Sequence, residues 1–286
     1  MFTTLVSVEI LQARLADPDW VIMDSRFALQ EPEWGRGEYL KGHIPGALYA
    51  HLDQDLSSPV IPGQTGRHPL PEVEAMANRL SAWGIDQGTQ VVVYDIDNGG
   101  FAARLWWLLR WLGHPGAAVL DGGWEAWRGS GLPVEIEIRR RHERKFIPRL
   151  QPAMLVNVGQ VQQMIGDLTW IILDARAVER YRGEVEPIDP VAGHIPGAVC
   201  LPYLDSVGAD GKFLAKDELR KRFETALEGR SVDKTAVYCG SGVTSAHHIL
   251  AMEHAGLGTA RLYAGSWSEW IADPARPVER ASLDSE

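Results

Sequence analysis

Trp20-Val-Ile-Met-Asp-Ser-Arg26 recurs 150 residues later as Trp170-Ile-Ile-Leu-Asp-Ala-Arg176. Each is a short apolar run closed by Asp-x-Arg, and each reads as a buried parallel strand. Working outward, the repeat continues on both sides. Leu5-Val-Ser-Val8 matches Leu155-Val-Asn-Val158 at the same offset, and Gly42-His-Ile-Pro-Gly-Ala47 matches Gly193-His-Ile-Pro-Gly-Ala198 at an offset of 151. Val91-Val-Val-Tyr-Asp95 aligns with Thr235-Ala-Val-Tyr-Cys239, and Gly123-Trp-Glu-Ala-Trp127 with Ser266-Trp-Ser-Glu-Trp270, at offsets of 144 and 143. Collinear matches with small drifts mean a duplication with short loop changes.

Each copy carries the same series of signals. A helix capped by Ser7 or Asn157 comes first. The Asp-x-Arg strand, the Gly-His-Ile-Pro-Gly-Ala turn, a second short strand and a helix follow. A third apolar run ends at Asp95 or Cys239 and leads into a helix; a last strand (117–120, 260–263) and a Trp-bearing helix close the unit. Strands alternating with helices predict an α/β fold, each copy a mostly parallel sheet with helices on both faces. The expected division is a first domain over 1–137, a basic linker over 138–152, a second domain over 153–280 and a tail over 281–286, with disorder expected after Pro277. The linker holds Arg139, Arg140, Arg141, Arg144, Lys145 and Arg149 and reads as a solvated connector.

The chain has 286 residues, 45% of them hydrophobic, which is enough for two cores. Its net charge of −10 argues against nucleic acid or an anionic membrane as a partner. No apolar stretch is long enough to span a bilayer, and the N-terminus has no basic region followed by an apolar run, so neither a membrane segment nor a signal peptide is expected. Two cysteines, Cys200 and Cys239, point to a reducing cytoplasm rather than a disulfide framework. The histidines show no zinc spacing, and no metal is expected.

Cys239 stands at the carboxyl end of a predicted parallel strand, where α/β folds place their ligands. Gly240-Ser-Gly-Val-Thr244 follows as a tight loop, then a helix from Ser245 to Ala255. Glycines let successive N–H groups turn inward, and the helix adds the positive end of its dipole. All of these favour a thiolate. Two chemistries suit such a cradle. A cysteine phosphatase needs an arginine six residues after the cysteine, and here that position is Ser245. Transfer of a sulfane sulfur through a persulfide needs no such arginine. Cys200, between Gly-Ala-Val and Leu-Pro, reads as a packed core residue.

Together these residues resemble the two-domain rhodanese family over nearly the whole chain. Both Asp-x-Arg strands, both Gly-His-Ile-Pro-Gly-Ala turns, the Asp95/Cys239 pairing and both Gly-x-Trp helices carry the likeness. The resemblance implies tandem rhodanese-like domains of which only the second is catalytic. The loop from Cys239 to Thr244 is similar to the 3-mercaptopyruvate sulfurtransferase version, whereas the thiosulfate-preferring version has basic residues where this chain has Gly240 and Ser241. By the same likeness Arg180 binds the donor carboxylate, with Gly240, Gly242, Val243 and Thr244 lining the anion site, and Ser241 and His43 belong to a Ser–His–acid relay. Glu33 is the candidate acid. His43 has a bland alternative as a brace of its turn, as His194 does. Ile188 stands where a second substrate arginine is expected. Asp24, Arg26, Asp174 and Arg176 are expected in structural ion pairs; Phe27, Trp34 and Phe101 are candidates for an apolar wall contributed by the first domain, with core packing the equal alternative for each. The resemblance implies a small anionic sulfur donor and a thiol, cyanide or thioredoxin acceptor; no cofactor is expected, and an acidic two-domain chain is expected to be a monomer. Thiosulfate:cyanide sulfur transfer, and a low-turnover sulfur carrier or interaction module, remain as alternatives.

Overall fold

Apolar runs of two to five residues, each followed by a helix, build two parallel sheets in a computed structural model that describes residues 1–280. In the first sheet β1 (Leu5–Val6), β2 (Trp20–Asp24), β3 (Leu48–Tyr49), β4 (Gln90–Tyr94) and β5 (Ala117–Leu120) lie in the order β1-β5-β4-β2-β3. In the second, β6 (Leu155–Val156), β7 (Ile171–Asp174), β8 (Val199–Cys200), β9 (Thr235–Tyr238) and β10 (Arg261–Tyr263) repeat that order as β6-β10-β9-β7-β8. Every pairing is parallel. The central strands are buried along their length, as helices on both faces of a sheet require.

The helix starts follow the sequence signals. Ser7 Oγ accepts from the N–H of Ile10, and Asn157 forms a reciprocal capping box with Gln160. The repeated Asp-x-Arg proves structural in both copies. Arg26 lies within hydrogen-bond distance of Asp24 and donates to the Gly42 carbonyl at 2.7 Å, its guanidinium 4.5 Å from the Trp124 ring. Arg176 does the same with Asp174, the Gly193 carbonyl and Trp267. Each buried pair therefore ties a strand end to the Gly-His-Ile-Pro-Gly-Ala turn and to the Trp-bearing helix.

The chain separates into two compact units that depart from the expected division. Unit 1 is Met1–Ser58, Leu70–Pro152 and Val207–Leu214; unit 2 is Pro59–Pro69, Ala153–Ser206 and Ala215–Glu286. Each sheet thus keeps a loop cut from the other half of the sequence. The 207–214 hairpin belongs with unit 1 because Phe213 N donates to Asp121 and its ring lies against Gly99. The basic stretch is not a free connector. Arg144 pairs with Asp19 and Asp86, and the N–H groups of Arg149 and Gln151 donate to the carbonyls of Leu112 and Trp111. The expected disorder after Pro277 is likewise corrected up to Arg280: Glu279 forms an antiparallel bridge with His194. The 281–286 tail lies outside the described residues. Among the described residues no helix is long and apolar enough to cross a membrane.

Candidate active site

Cys239 follows the last residue of β9, and its side chain is almost fully buried. Its backbone is held by a hydroxyl: the N–H of Cys239 donates to Ser266 Oγ at 3.1 Å, and that hydroxyl donates to the Tyr263 carbonyl at 2.9 Å. Ser266 adopts φ 55°, a left-handed conformation that a non-glycine residue enters only when its surroundings hold it there. The N–H groups of Trp267 and Ser268 donate to the carbonyls of Cys239 and Gly240, both at 3.0 Å. Gly242 turns the loop at φ 77°, and a Cβ there would lie 2.2 Å from the Ala264 carbonyl oxygen, so only glycine fits.

Burial alone would push the Cys239 thiol up. The hydroxyls of Ser245 and Thr244 and the N–H groups of Ser241 and Ser245 outweigh it, and the thiol lies below its ordinary value. The first sheet shows the opposite solution at the matching place. The Asp95 carboxylate fills its own loop, accepting from the N–H groups of Gly99, Phe101 and Ala102 at 2.9, 2.8 and 3.1 Å. That cradle is occupied by a side chain of the chain itself.

Ser241 is buried, and its Oγ lies 2.7 Å from Nδ1 of a histidine. That histidine is His68, where His43 was expected. His43 is fully buried in unit 1, stacked on the Tyr39 ring at 4.0 Å with Nδ1 2.8 Å from the Tyr39 carbonyl. A ring nitrogen spent on its own turn fits the bracing role, and His194 repeats it with Tyr181. Glu33 is exposed and pairs with Arg36 and His51. Phe27 packs on Phe101 and His51 within unit 1, and Trp34 opens the helix Trp34–Lys41. Cys200 is half-buried rather than packed in the core; burial pushes its thiol up to about 12, so it is an inert neutral thiol.

Arg180 lies in the short helix Val178–Arg182 and reaches the loop: Nη1 and Nη2 are each 3.6 Å from the place a Cβ on Gly240 would take. Its Nε and Nη2 donate to Glu186, and Nη2 also to Asp189 at 3.0 Å. A second guanidinium shares that carboxylate, Arg67 Nη1 on Asp189. Burial pushes the Asp189 carboxyl up against the pull of Arg67. The N–H of Ile188 donates to Glu186 at 3.2 Å. Val243 and Thr244 close the loop into the helix Ser245–His254, whose first turn begins with N–H donations to their carbonyls.

His68, Arg67, Ser266, Glu186 and Asp189 escaped sequence reasoning. The signal for the first two was the stretch Gly66-Arg-His-Pro69, which has no counterpart in the second copy. Unmatched sequence inside a repeat is where new contacts are made, but only the tertiary fold delivers this loop to the second sheet.

The family model for the Rhodanese-like domain matches residues 7–130 and 157–273. A Pseudomonas aeruginosa protein named "Probable 3-mercaptopyruvate sulfurtransferase" is 50% identical over 275 residues, covering 96% of this chain and 97% of the relative. The Arabidopsis thaliana thiosulfate/3-mercaptopyruvate sulfurtransferase 1 is 34% identical over 310 residues, covering 98% of this chain and 79% of its own. Among solved structures, the 3-mercaptopyruvate sulfurtransferase of Leishmania major superposes with a TM-score of 0.84 at 31% identity, covering 96% of this chain and 75% of that one. The chain belongs to the two-domain rhodanese family. It is an enzyme, a sulfurtransferase.

Proposed function

We propose that Cys239 takes the sulfane sulfur of 3-mercaptopyruvate and passes it to a thiol acceptor as a persulfide. The observation that carries this reading is a buried cysteine whose thiolate is favoured by hydroxyls and N–H groups, in a loop flanked by guanidinium groups. The thiolate attacks the donor sulfur. An S–S bond forms as the donor C–S bond breaks, and the electron pair leaves as the enolate of pyruvate. The hydrogen first carried by the donor's sulfur moves to the enolate carbon, with Ser241 Oγ and His68 as the relay, and pyruvate departs. The persulfide anion left on Cys239 rests among the N–H groups of Gly240, Ser241, Gly242, Val243 and Thr244. In the second half-reaction an acceptor thiolate attacks the outer sulfur and restores the Cys239 thiolate; cyanide or a thioredoxin thiol serves equally.

The test is intact mass after donor addition. The chain gains one sulfur, Cys239→Ser gains none, and steady-state kinetics are ping-pong. Turnover by Cys239→Ser at the wild-type rate would sink the scheme. Thiosulfate is the second reading for the donor, favoured by Ile188 in place of an arginine; the ratio of kcat/KM for the two donors decides it. The reading extends to a cytoplasmic monomer, in keeping with two free cysteines. Size-exclusion chromatography checks the monomer.

A further inference from the structure

We infer that unit 1, which holds neither cysteine, carries a ligand site of its own, suited to a nucleoside polyphosphate: a flat aromatic ring on a multiply charged anionic tail. The site is a cavity of about 630 Å³ lined entirely by unit 1 residues. That volume lies within the usual range for small-molecule sites and is far more than a single inorganic anion fills. Three walls meet there. One is the helix Trp34–Lys41 with β3, one is the end of the helix Val73–Ala82 with Trp83 after it, and one is the basic stretch 138–141. The charged stretch between the two copies thus forms part of a cavity.

The donor inventory selects an anion. Arg36, Arg139, Arg140 and Arg141 all line the cavity, and a guanidinium donates but cannot accept. Among the described residues no hydrogen bond or ion pair engages the Arg140 side chain. The other three are anchored and still keep Nη1 out of their pairs. Arg36 donates to Gln54 at 2.9 Å and pairs with Glu33, Arg139 donates to Glu135 at 2.8 Å, and Arg141 donates to the Pro18 carbonyl. The carboxylate on the wall, that of Asp55, is already paired with Arg79. Burial, and then the charge of Arg144, push the Arg141 guanidinium below its ordinary value, and a bound anion favours its charged form again. Four guanidinium groups on one cavity exceed the need of a single carboxylate and suit a tail of two or more charges.

The rest of the wall selects a ring. Trp83 is half-buried, and its indole N–H takes no hydrogen bond among the described residues. The Arg36 guanidinium lies 5.4 Å from the centre of the Tyr49 ring. Indole and guanidinium planes are both surfaces on which a base stacks. The net charge of −10 repels a long nucleic acid, whereas a small ligand meets the local charge of the cavity.

The experiment is calorimetric titration of the full-length chain with ADP, pyrophosphate and adenosine, in wild type, Arg140→Gln, Trp83→Ala and Trp83→Phe. Ligand-free unfolding midpoints check that each variant is folded; Arg140 is exposed, so its variant keeps the test open whatever Trp83→Ala does. One ADP is expected per chain, bound at least about 10-fold more tightly than pyrophosphate or adenosine. Arg140→Gln weakens ADP about 10- to 100-fold, the weight of a charge-assisted hydrogen bond. Trp83→Ala weakens it about 10- to 100-fold, the weight of a stacked base, and Trp83→Phe restores most of the loss. No heat from ADP at millimolar concentration overturns the site. Pyrophosphate binding as tightly as ADP overturns the ring, and adenosine binding as tightly overturns the anion. ADP affinity unchanged in Arg140→Gln or in Trp83→Ala overturns the cavity, by showing that the nucleotide sits at other guanidinium groups. Every readout is binding without sulfur transfer, so the result stands apart from the reading of Cys239.

Discussion

His43 and His194 stand at the same place in the two turns, and each is stacked on a tyrosine whose carbonyl it contacts, Tyr39 or Tyr181. A side chain that repeats its contacts in the copy without a cysteine serves the turn. His68 has no such twin and contacts Ser241. The two histidines are therefore expected to separate in kinetics. His68→Gln lowers kcat with 3-mercaptopyruvate by about 10²- to 10⁴-fold, the usual weight of a proton relay. His43→Gln leaves kcat in place and lowers the unfolding free energy by about 1–3 kcal/mol, the cost of disturbing a buried polar contact. Cys239 makes a pH prediction. Its thiol is held below the ordinary value chiefly by the Ser245 and Thr244 hydroxyls working against burial. The reactive form is the thiolate, so sulfur uptake stays full as pH falls through the ordinary thiol range near about 8.5 and declines only below it. Ser245→Ala moves that decline to higher pH; stopped-flow loading across pH reads the shift.

A loop between strand and helix does two different things in this chain. In one unit Asp95 plugs it with a carboxylate; in the other Cys239 stands at that place, with Ser266 and Gly242 fixing the backbone. Gly242→Ala places a methyl 2.2 Å from the Ala264 carbonyl oxygen at positive φ. It is expected to destabilise by about 1–3 kcal/mol and to abolish persulfide formation, which intact mass checks. The buried Arg176–Asp174 pair ties β7 to the turn and to the Trp267 helix. Arg176→Met strands a buried carboxylate, and urea unfolding should show a loss of about 3–5 kcal/mol.

Burial holds one histidine of unit 1 and two of unit 2 neutral. Burial pushes His114 down to about 4, His254 to about 4 and His248 to about 3. The unfolded chain protonates these rings near pH 6.5 while the folded chain does not. Between that value and pH 4 the unfolded state binds more protons, so stability falls with falling pH. The slope approaches about 1.4 kcal/mol per pH unit for each ring. Urea midpoints measured from pH 7 to pH 4 should drop across this window, and His114→Gln should flatten part of the drop. The same scale explains why Pro59–Pro69 matters. It lies in the first half of the sequence but within unit 2, and it carries Arg67 and His68. Replacing it by a Gly-Ser segment of equal length should abolish turnover of 3-mercaptopyruvate.

The repeat, the two parallel sheets, the structural Asp-x-Arg pairs and the place of Cys239 at the end of a parallel strand were all legible in the residues. Each rests on local rules: strand period, capping, glycine freedom, and the N–H groups that follow a strand end. The family likeness pointed to Arg180, which lies beside Gly240; its role with a donor belongs to the proposed function. The partner of Ser241 was not legible, nor was the second guanidinium, because a loop's residues report nothing about which sheet it will pack against. His43 sits in a strong motif and drew attention for that reason, yet the motif is a turn that needs bracing. His68 and Arg67 sit in an unpatterned loop. They reach Ser241 and Asp189 through contacts more than a hundred residues apart in sequence, and such pairings are decided by the packing of the whole chain.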